Sequence, residues 1–433
     1  MKRLFIVLAA AAVLSACDLF FDPIVLDPID ISSPEPTETL TKVTLSEEQQ
    51  TYMNAGNAFA FNCLEQLYDG NTVIFSPLSL QFALAMAVNG ASGETAEEIT
   101  KALGYGTDVK ALNRYCNLLL NQLPALDKNV ALKLTDAMMV LEDFPCQKDF
   151  TKILNEQYYA PIEYFSPATK KEIIDRINEW ASRNTNGFIK PFLNEGDITD
   201  DFVAAILNAL YFKAKWSEGG NGPMFMEENT LKNQDFIQDN NGGKKKVDMM
   251  RTSDYLPYAQ RNGYKAVSIP YGNGSFAMYL LLPDKSGVNG AAELVKQLSK
   301  ESWKDITSSL STGYLVHLKM PKFEAENKLA LVETMQTLGI ERAFVGGVAQ
   351  FDSMFDVTGW DFWISNILQK ARISVAEWGT EAAAVTAIIM DKATSVGPGQ
   401  IKEVTFTADH PFVYVIAERS SGAILFEGVF AGC

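Results

Sequence analysis

Few residues of this chain can do covalent chemistry. Its 433 residues include two histidines, His317 and His410, and five cysteines. His317 lies within the alternating run Tyr314–Met320, and His410 precedes Pro411 at the entry to an apolar run, so both read as structural. No Gly-x-Ser-x-Gly elbow, His-Glu-x-x-His pair or Walker loop occurs. Gly272-Asn-Gly-Ser-Phe-Ala277 loosely mimics a dinucleotide fingerprint, but a strand-like run follows where the fingerprint needs a helix, so it reads as a turn. Cys63, Cys116, Cys146 and Cys433 show no zinc or Cys-x-x-Cys spacing. Cys63 and Cys116 fall in helical patterns as buried apolar side chains, and a disulfide stays open as an alternative. No metal, cofactor or catalytic residue is expected, and a hydrolase reading is disfavoured.

The elements that would position any site read as a mixture. Helices are expected over about Glu47–Tyr68, Pro77–Val88, Gly93–Leu103, Val109–Leu123, Gln147–Tyr158 and Thr169–Asn184, with shorter ones at Ala291–Leu298 and Glu301–Leu310. Strands are expected at Ala131–Leu141, Ala204–Phe212, Tyr264–Pro270, Phe276–Leu282, Gly313–Phe323, Gln369–Glu377, Phe412–Ala417 and Ala423–Phe430. No repeat or linker divides the region after Leu45, so one large domain is expected.

One stretch stands apart. Glu377-Trp-Gly-Thr-Glu-Ala-Ala-Ala-Val-Thr-Ala-Ile-Ile-Met390 is small or apolar almost throughout, and it runs into a loop rich in Lys, Thr, Ser, Gly and Pro. Read with period two, one face is Thr380, Ala382, Ala384, Thr386, Ile388 and Met390; the other begins with Glu381 and continues through Ala383 and Val385. The first face carries no charge and no proline at its leading end. Such a segment can slide into an existing sheet without burying an unpaired charge or losing a ladder hydrogen bond.

This stretch resembles the proximal hinge of the reactive loop of a serpin. Other motifs carry the same resemblance in order: Phe75-Ser-Pro-Leu-Ser79 with Gly90-Ala-Ser-Gly-Glu-Thr95, Leu207-Asn-Ala-Leu-Tyr-Phe-Lys-Ala-Lys-Trp216, Val247-Asp-Met-Met250, Leu281-Leu-Pro283, Met320-Pro-Lys-Phe323, Phe406–Ile416 and Gly422–Gly428. Together they span roughly Leu45 to Cys433. The resemblance implies an α+β serpin fold of three sheets and about nine helices, with the loop Thr380–Gln400 held outside as bait. It implies a suicide-type protease inhibitor rather than an enzyme: a target protease attacks the loop, forms an acyl-enzyme, and is dragged across the body as the hinge inserts. About fifteen inserted residues at ~3.3 Å each give a path near ~50 Å. The hinge residues are Glu377, Gly379, Thr380, Glu381, Ala382, Ala383 and Ala384. The resemblance further implies a bridge between Glu377 and Lys322, Trp216 beneath the opening, and a polar cluster of Ser76, Ser79 and Asn208. Where the family often has a histidine, Gln369 stands here, which weakens any pH sensing at that position. The family's spacing places the scissile bond at Ala393-Thr394, suiting elastase-like or subtilisin-like enzymes; Lys392 is the trypsin-like alternative, and Met390 or Val396 serve others. Papain-like cysteine proteases are conceivable targets. A serpin-fold binding or carrier protein without inhibition is the alternative.

The N-terminus reads as an address. Lys2 and Arg3 precede the apolar run Leu4–Leu14, too short to span a membrane as a helix. Leu14-Ser-Ala-Cys17 resembles a bacterial lipoprotein processing box, with residues 1–16 as leader and Cys17 lipidated. Residues 17–45, with Pro23, Pro28, Pro34 and Pro36, read as a tether to a domain at 46–433. The expectation is a monomer on a bacterial cell envelope, at the outer membrane or cell surface. Without the leader the chain has 35 basic and 53 acidic residues, a net charge of −18, which makes nucleic acid a poor partner. The single run Lys244-Lys-Lys246 after Gly242-Gly243 reads as a solvated hairpin tip.

Overall fold

The computed structural model describes residues 2–9, 42–166, 169–199, 202–219, 222–380 and 402–432. The chain first forms strand β1 (Lys2–Ala9) and then helix α1 (Glu47–Leu67). Ser46 starts α1: its Oγ accepts from the Gln49 amide at 3.2 Å, and Gln49 Oε1 accepts from the Ser46 amide at 2.9 Å. That reciprocal pair satisfies two N–H groups that the first helical turn would otherwise leave open. Val43, just before this helix, is also buried, and its amide donates to Ser420 Oγ.

Strand β2 (Val73–Phe75) leads into α2 (Pro77–Val88), which is buried at every position and apolar but for Ser79 and Gln81, as befits a central helix. The amphipathic α3 (Gly93–Leu103) and α4 (Val109–Gln122) pack outside it. Then come β3 (Val130–Leu141), α5 (Lys148–Gln157), β4 (Ile162–Phe165), α6 (Lys170–Asn184) and β5 (Phe202–Lys215). Strands β6 (Leu231–Ile237), β7 (Lys244–Tyr255), β8 (Tyr258–Arg261), β9 (Tyr264–Tyr271) and β10 (Phe276–Pro283) follow, and residues 272–275 are the turn expected there. Helices α7 (Gly287–Leu298) and α8 (Trp303–Ser308) precede β11 (Tyr314–Pro321), β12 (Phe323–Ala330) and α9 (Val332–Thr337). The chain closes with β13 (Trp360–Ala376), β14 (Gly379–Thr380), β15 (Lys402–Thr407), β16 (Phe412–Glu418) and β17 (Ile424–Phe430).

The described residues thus form nine α-helices and three sheets, an α+β fold. The large sheet runs β1-β13-β14-β5-β3-β4, with β12 on the other side of β13. A six-stranded sheet, β2-β17-β16-β10-β9-β8, packs behind it, and β15-β11-β7-β6 forms the third. Strands β10, β16 and β17 are buried along their length. Two faces of side chains, one through α2 and one through α1, α7 and α8, cover that second sheet.

Three expectations are corrected. The run Gly313–Phe323 is not one strand: the chain leaves the small sheet at Pro321, whose nitrogen cannot donate, and Phe323 begins β12 in the large sheet. Strand β13 starts at Trp360, well before Gln369. Lys244 and Lys246 open β7 rather than sit at a hairpin tip, and both hold Asp235 of β6, at 2.9 and 2.6 Å.

Candidate functional site in the slot of the large sheet

Strand β13 ends at Ala376, the chain turns through Glu377 and Trp378, and Gly379–Thr380 re-enter the large sheet antiparallel. They lie between two strands: Thr380 is opposite Val375 of β13 and Ala214 of β5, and Gly379 is opposite Ala376 and Lys215. The expectation that the outside loop begins at Thr380 is therefore corrected, since Thr380 is 3% exposed. Gly379 allows the close approach. Its φ is +146°, and a Cβ there would lie 2.1 Å from the Ala214 carbonyl oxygen. Only a residue without a side chain lets the hinge reach the edge of β5.

Trp216 anchors this entry. Its indole N–H donates to the Ala376 carbonyl at 2.8 Å, and its ring stacks on Tyr271 with centroids 4.5 Å apart. The Tyr271 and Thr380 hydroxyls share a hydrogen bond of 2.5 Å. Above them, Glu377 accepts from the Thr230 hydroxyl at 2.7 Å and from the Lys322 ammonium at 3.0 Å. Lys322 can reach it because the chain changes sheets at that residue. Burial pushes the Glu377 carboxyl up, but Thr230, its own backbone and Lys322 outweigh that and hold it below its ordinary value. A depressed acid stabilises the fold above the usual carboxylate range and loses that contribution as pH falls. Because Lys322 stands partly in water, Glu377→Gln should lower Tm by only about 1–3 °C at pH 7. The gap should close towards pH 3.5, which melting curves of the two proteins across that range will test.

Below Thr380, β5 and β13 flank a slot. One small cleft is lined by Leu210, Phe212, Ala371, Ile373 and Thr380, and the next by Ser76, Ser79, Asn208 and Gln369. Gln369 exchanges two hydrogen bonds with the Ser76 backbone, at 2.7 and 2.8 Å, so its amide bridges β13 to the start of α2. The Ser76 hydroxyl donates to the Leu425 carbonyl at 2.8 Å and lies 3.1 Å from that of Ser79. Asn208 donates instead to Asp136 of β3, at 2.6 Å. Lower still, β1 lies parallel to both walls, pairing Ala9 with Leu368 and Leu207. The slot therefore has the width of a strand.

A hinge entering an open slot between two long strands is decided by comparison. A family model described as Serpin (serine protease inhibitor) matches residues 54–432. The chain belongs to the serpin family. A serpin-like protein of Thermococcus kodakarensis is 33% identical over 94% of this chain and 91% of its own. Leukocyte elastase inhibitor of Xenopus tropicalis is 30% identical over 86% of this chain and 97% of its own. The crystal structure of the thermophilic serpin Tengpin in its native state superposes with a TM-score of 0.78 at 26% identity, covering 91% of this chain and 96% of that one.

In this serpin the structure brings together Glu377 with Lys322, Trp216 with the backbone of β13 at Ala376, and Ser76, Ser79 and Gln369 with each other. Asn208 lines the same cleft as that cluster, but its hydrogen bond goes to Asp136. Glu381, Ala382, Ala383, Ala384, Met390, Lys392, Ala393, Thr394, Val396, Cys17 and Cys433 lie outside the described residues. Cys63, Cys116 and Cys146 are free thiols, all buried. His317 lies between Ser253 and Glu403, and His410 between Asp409 and the Pro283 carbonyl. No group of three or more metal-ligating side chains occurs among the described residues. Sequence reading missed Tyr271, Thr230 and Asp136. Tyr271 and Asp136 sit in strand-like runs with nothing to distinguish them from core or edge residues, and Thr230 opens an unread strand.

Proposed function

We propose that this serpin inhibits proteases as a suicide substrate, by inserting its cut loop into the slot. The observation that carries the reading is the position of Gly379 and Thr380, already antiparallel between β5 and β13 above an open cleft. In the same register Ala382 would come opposite Ile373 and Phe212, and Thr386 opposite Gln369 and Asn208. Every inward residue over that distance is small and uncharged, so each step adds ladder hydrogen bonds without burying charge. Beyond Thr386 the insertion needs the place that β1 holds. Loss of residues 1–16 as an export leader vacates it.

The chemistry belongs to the protease. Its nucleophile attacks the Ala393 carbonyl, the amine of Thr394 leaves, and an ester or thioester joins protease to loop. Insertion then competes with hydrolysis of that bond. Small residues at Ala393-Thr394 suit enzymes with small primary pockets, in keeping with the name of the Xenopus relative; cleavage after Lys392 would suit trypsin-like enzymes. The reading includes a lipid on Cys17 and an envelope location, supported by Leu14-Ser-Ala-Cys17 and the proline-rich segment after it.

Mixing the mature protein with elastase, subtilisin and trypsin should give a band on denaturing gels near the summed masses. Sequencing the released C-terminal fragment should find Thr394 first. Protein nicked in the loop should melt well above the intact form. Clean cleavage with no covalent band, and a nicked form that melts like the intact one, would leave a non-inhibitory binding protein.

A further inference from the structure

Asp136 of β3 and Asn208 of β5 lie directly opposite each other, 2% and 7% exposed. Asn208 Nδ2 donates to Asp136 Oδ1 at 2.6 Å. Asp136 Oδ2 and Asn208 Oδ1 are both buried and have no hydrogen-bond partner among the described residues. A carboxylate and an amide carbonyl only accept, so two neighbouring acceptors lack one donor between them. A single proton on Asp136 Oδ2 supplies it, and donation to Asn208 Oδ1 closes a ring of two hydrogen bonds.

We propose that Asp136 is held as the neutral acid in a two-bond acid–amide clasp with Asn208, so that one proton fastens β3 to β5 beside the insertion slot. The surroundings favour the neutral form. Cys116 of α4 and Tyr158 at the end of α5 are the titratable groups that feel Asp136, and burial keeps both neutral. Ser76 at the N-cap of α2, Ser79 of α2 and Gln369 of β13 are uncharged, and Lys370 directs its ammonium to Glu326 and the Pro191 carbonyl. Burial pushes the Asp136 carboxyl up to about 7, against the lowering pull of the Asn208 bond. Ionisation sends the proton to solvent and leaves a carboxylate facing the Asn208 carbonyl oxygen at the wall of the slot. A raised acid stabilises the fold fully below its unfolded value, about 3.9, and that contribution is lost as pH rises towards 7.

Asp136→Asn provides the test, because two facing amides make the same two bonds at every pH. Infrared difference spectra, wild type minus variant, should show the carbonyl band of a buried carboxylic acid at pH 5.5 that disappears with a midpoint near neutrality. Between pH 5.5 and 8.5 the wild-type Tm should fall by about 2–5 °C more than that of the variant. A difference spectrum showing only carboxylate at pH 5.5, or equal pH slopes, overturns the clasp. Should Asp136→Asn not fold, Asn208→Leu keeps the acid and removes the amide. The acid band must then move, and an unmoved band overturns the clasp. No protease enters these measurements, so their outcome is separate from that of the inhibition assay.

Discussion

Thr380→Arg is expected to turn the protein from an inhibitor into a substrate. Thr380 is buried between two strands with its hydroxyl on Tyr271, whose ring stacks against Trp216. A guanidinium there would be a buried charge, and the Glu377 carboxylate at the loop base is already held by Thr230 and Lys322. Breaking in such a charge costs several kcal/mol, and if about 3 kcal/mol falls on the entry step, insertion slows by ~100-fold. Hydrolysis of the acyl bond is untouched, so it wins the race. The number of inhibitor molecules consumed per protease should rise by at least about tenfold, while cleavage of the loop continues at its former rate. The intact fold should survive, because the hinge can leave the sheet with the loss of few contacts. Thr380→Ser keeps the hydroxyl and should inhibit normally. Gly379→Ala should act like the arginine variant for a steric reason, the Cβ meeting the Ala214 carbonyl. Titration of a fixed amount of elastase with each variant measures the ratio; unaltered inhibition by Thr380→Arg would exclude loop insertion as the mechanism.

Glu427→Met is expected to stabilise the protein, increasingly so at higher pH. Glu427 lies in β17, opposite Phe75 and Val415, and is fully buried. Neither of its carboxyl oxygens has a hydrogen-bond partner among the described residues. Burial pushes this carboxyl well above its ordinary value, so the folded protein carries it as the neutral acid while the unfolded chain ionises it. With a raised value, the folded state is not penalised below about 4.3 and loses stability as pH rises above it. An unbranched Met of similar length fills the space and needs no partner. The gain from removing an unsatisfied buried polar group is about 1–3 kcal/mol at pH 7. Denaturant titrations of both proteins at pH 4.5, 7 and 8.5 should show the advantage widen with pH. A destabilised Met variant would mean that Glu427 has a partner here.

The two variants probe different parts of the fold, and that division follows what could be read from the chain. Features whose physics is local were legible in the residues. Helices α2 and α3 run over the residues expected for them, and the structure caps α1 with Ser46 and ends α3 at the left-handed Gly104. The hinge stood out because small, uncharged residues at alternate positions are a local pattern. Less legible were strands with charged outer faces, such as β7 and β12, whose Lys and Glu residues break the apolar alternation.

By itself the sequence placed the chain in the serpin family and set apart Glu377–Met390 as a run with small, uncharged residues at alternate positions. Only the tertiary structure decided that Gly379 and Thr380 lie between β5 and β13, that Tyr271 and Thr230 receive Thr380 and Glu377, and that Asn208 hydrogen-bonds Asp136 rather than Ser76. The reason is the range of the interactions. Capping and alternation act within a few residues, whereas Thr380 meets Ala214 and Tyr271 only after separate strands have paired and a second sheet has packed behind them. A buried proton has no local signature at all, because its stability depends on the water that every neighbouring element together excludes.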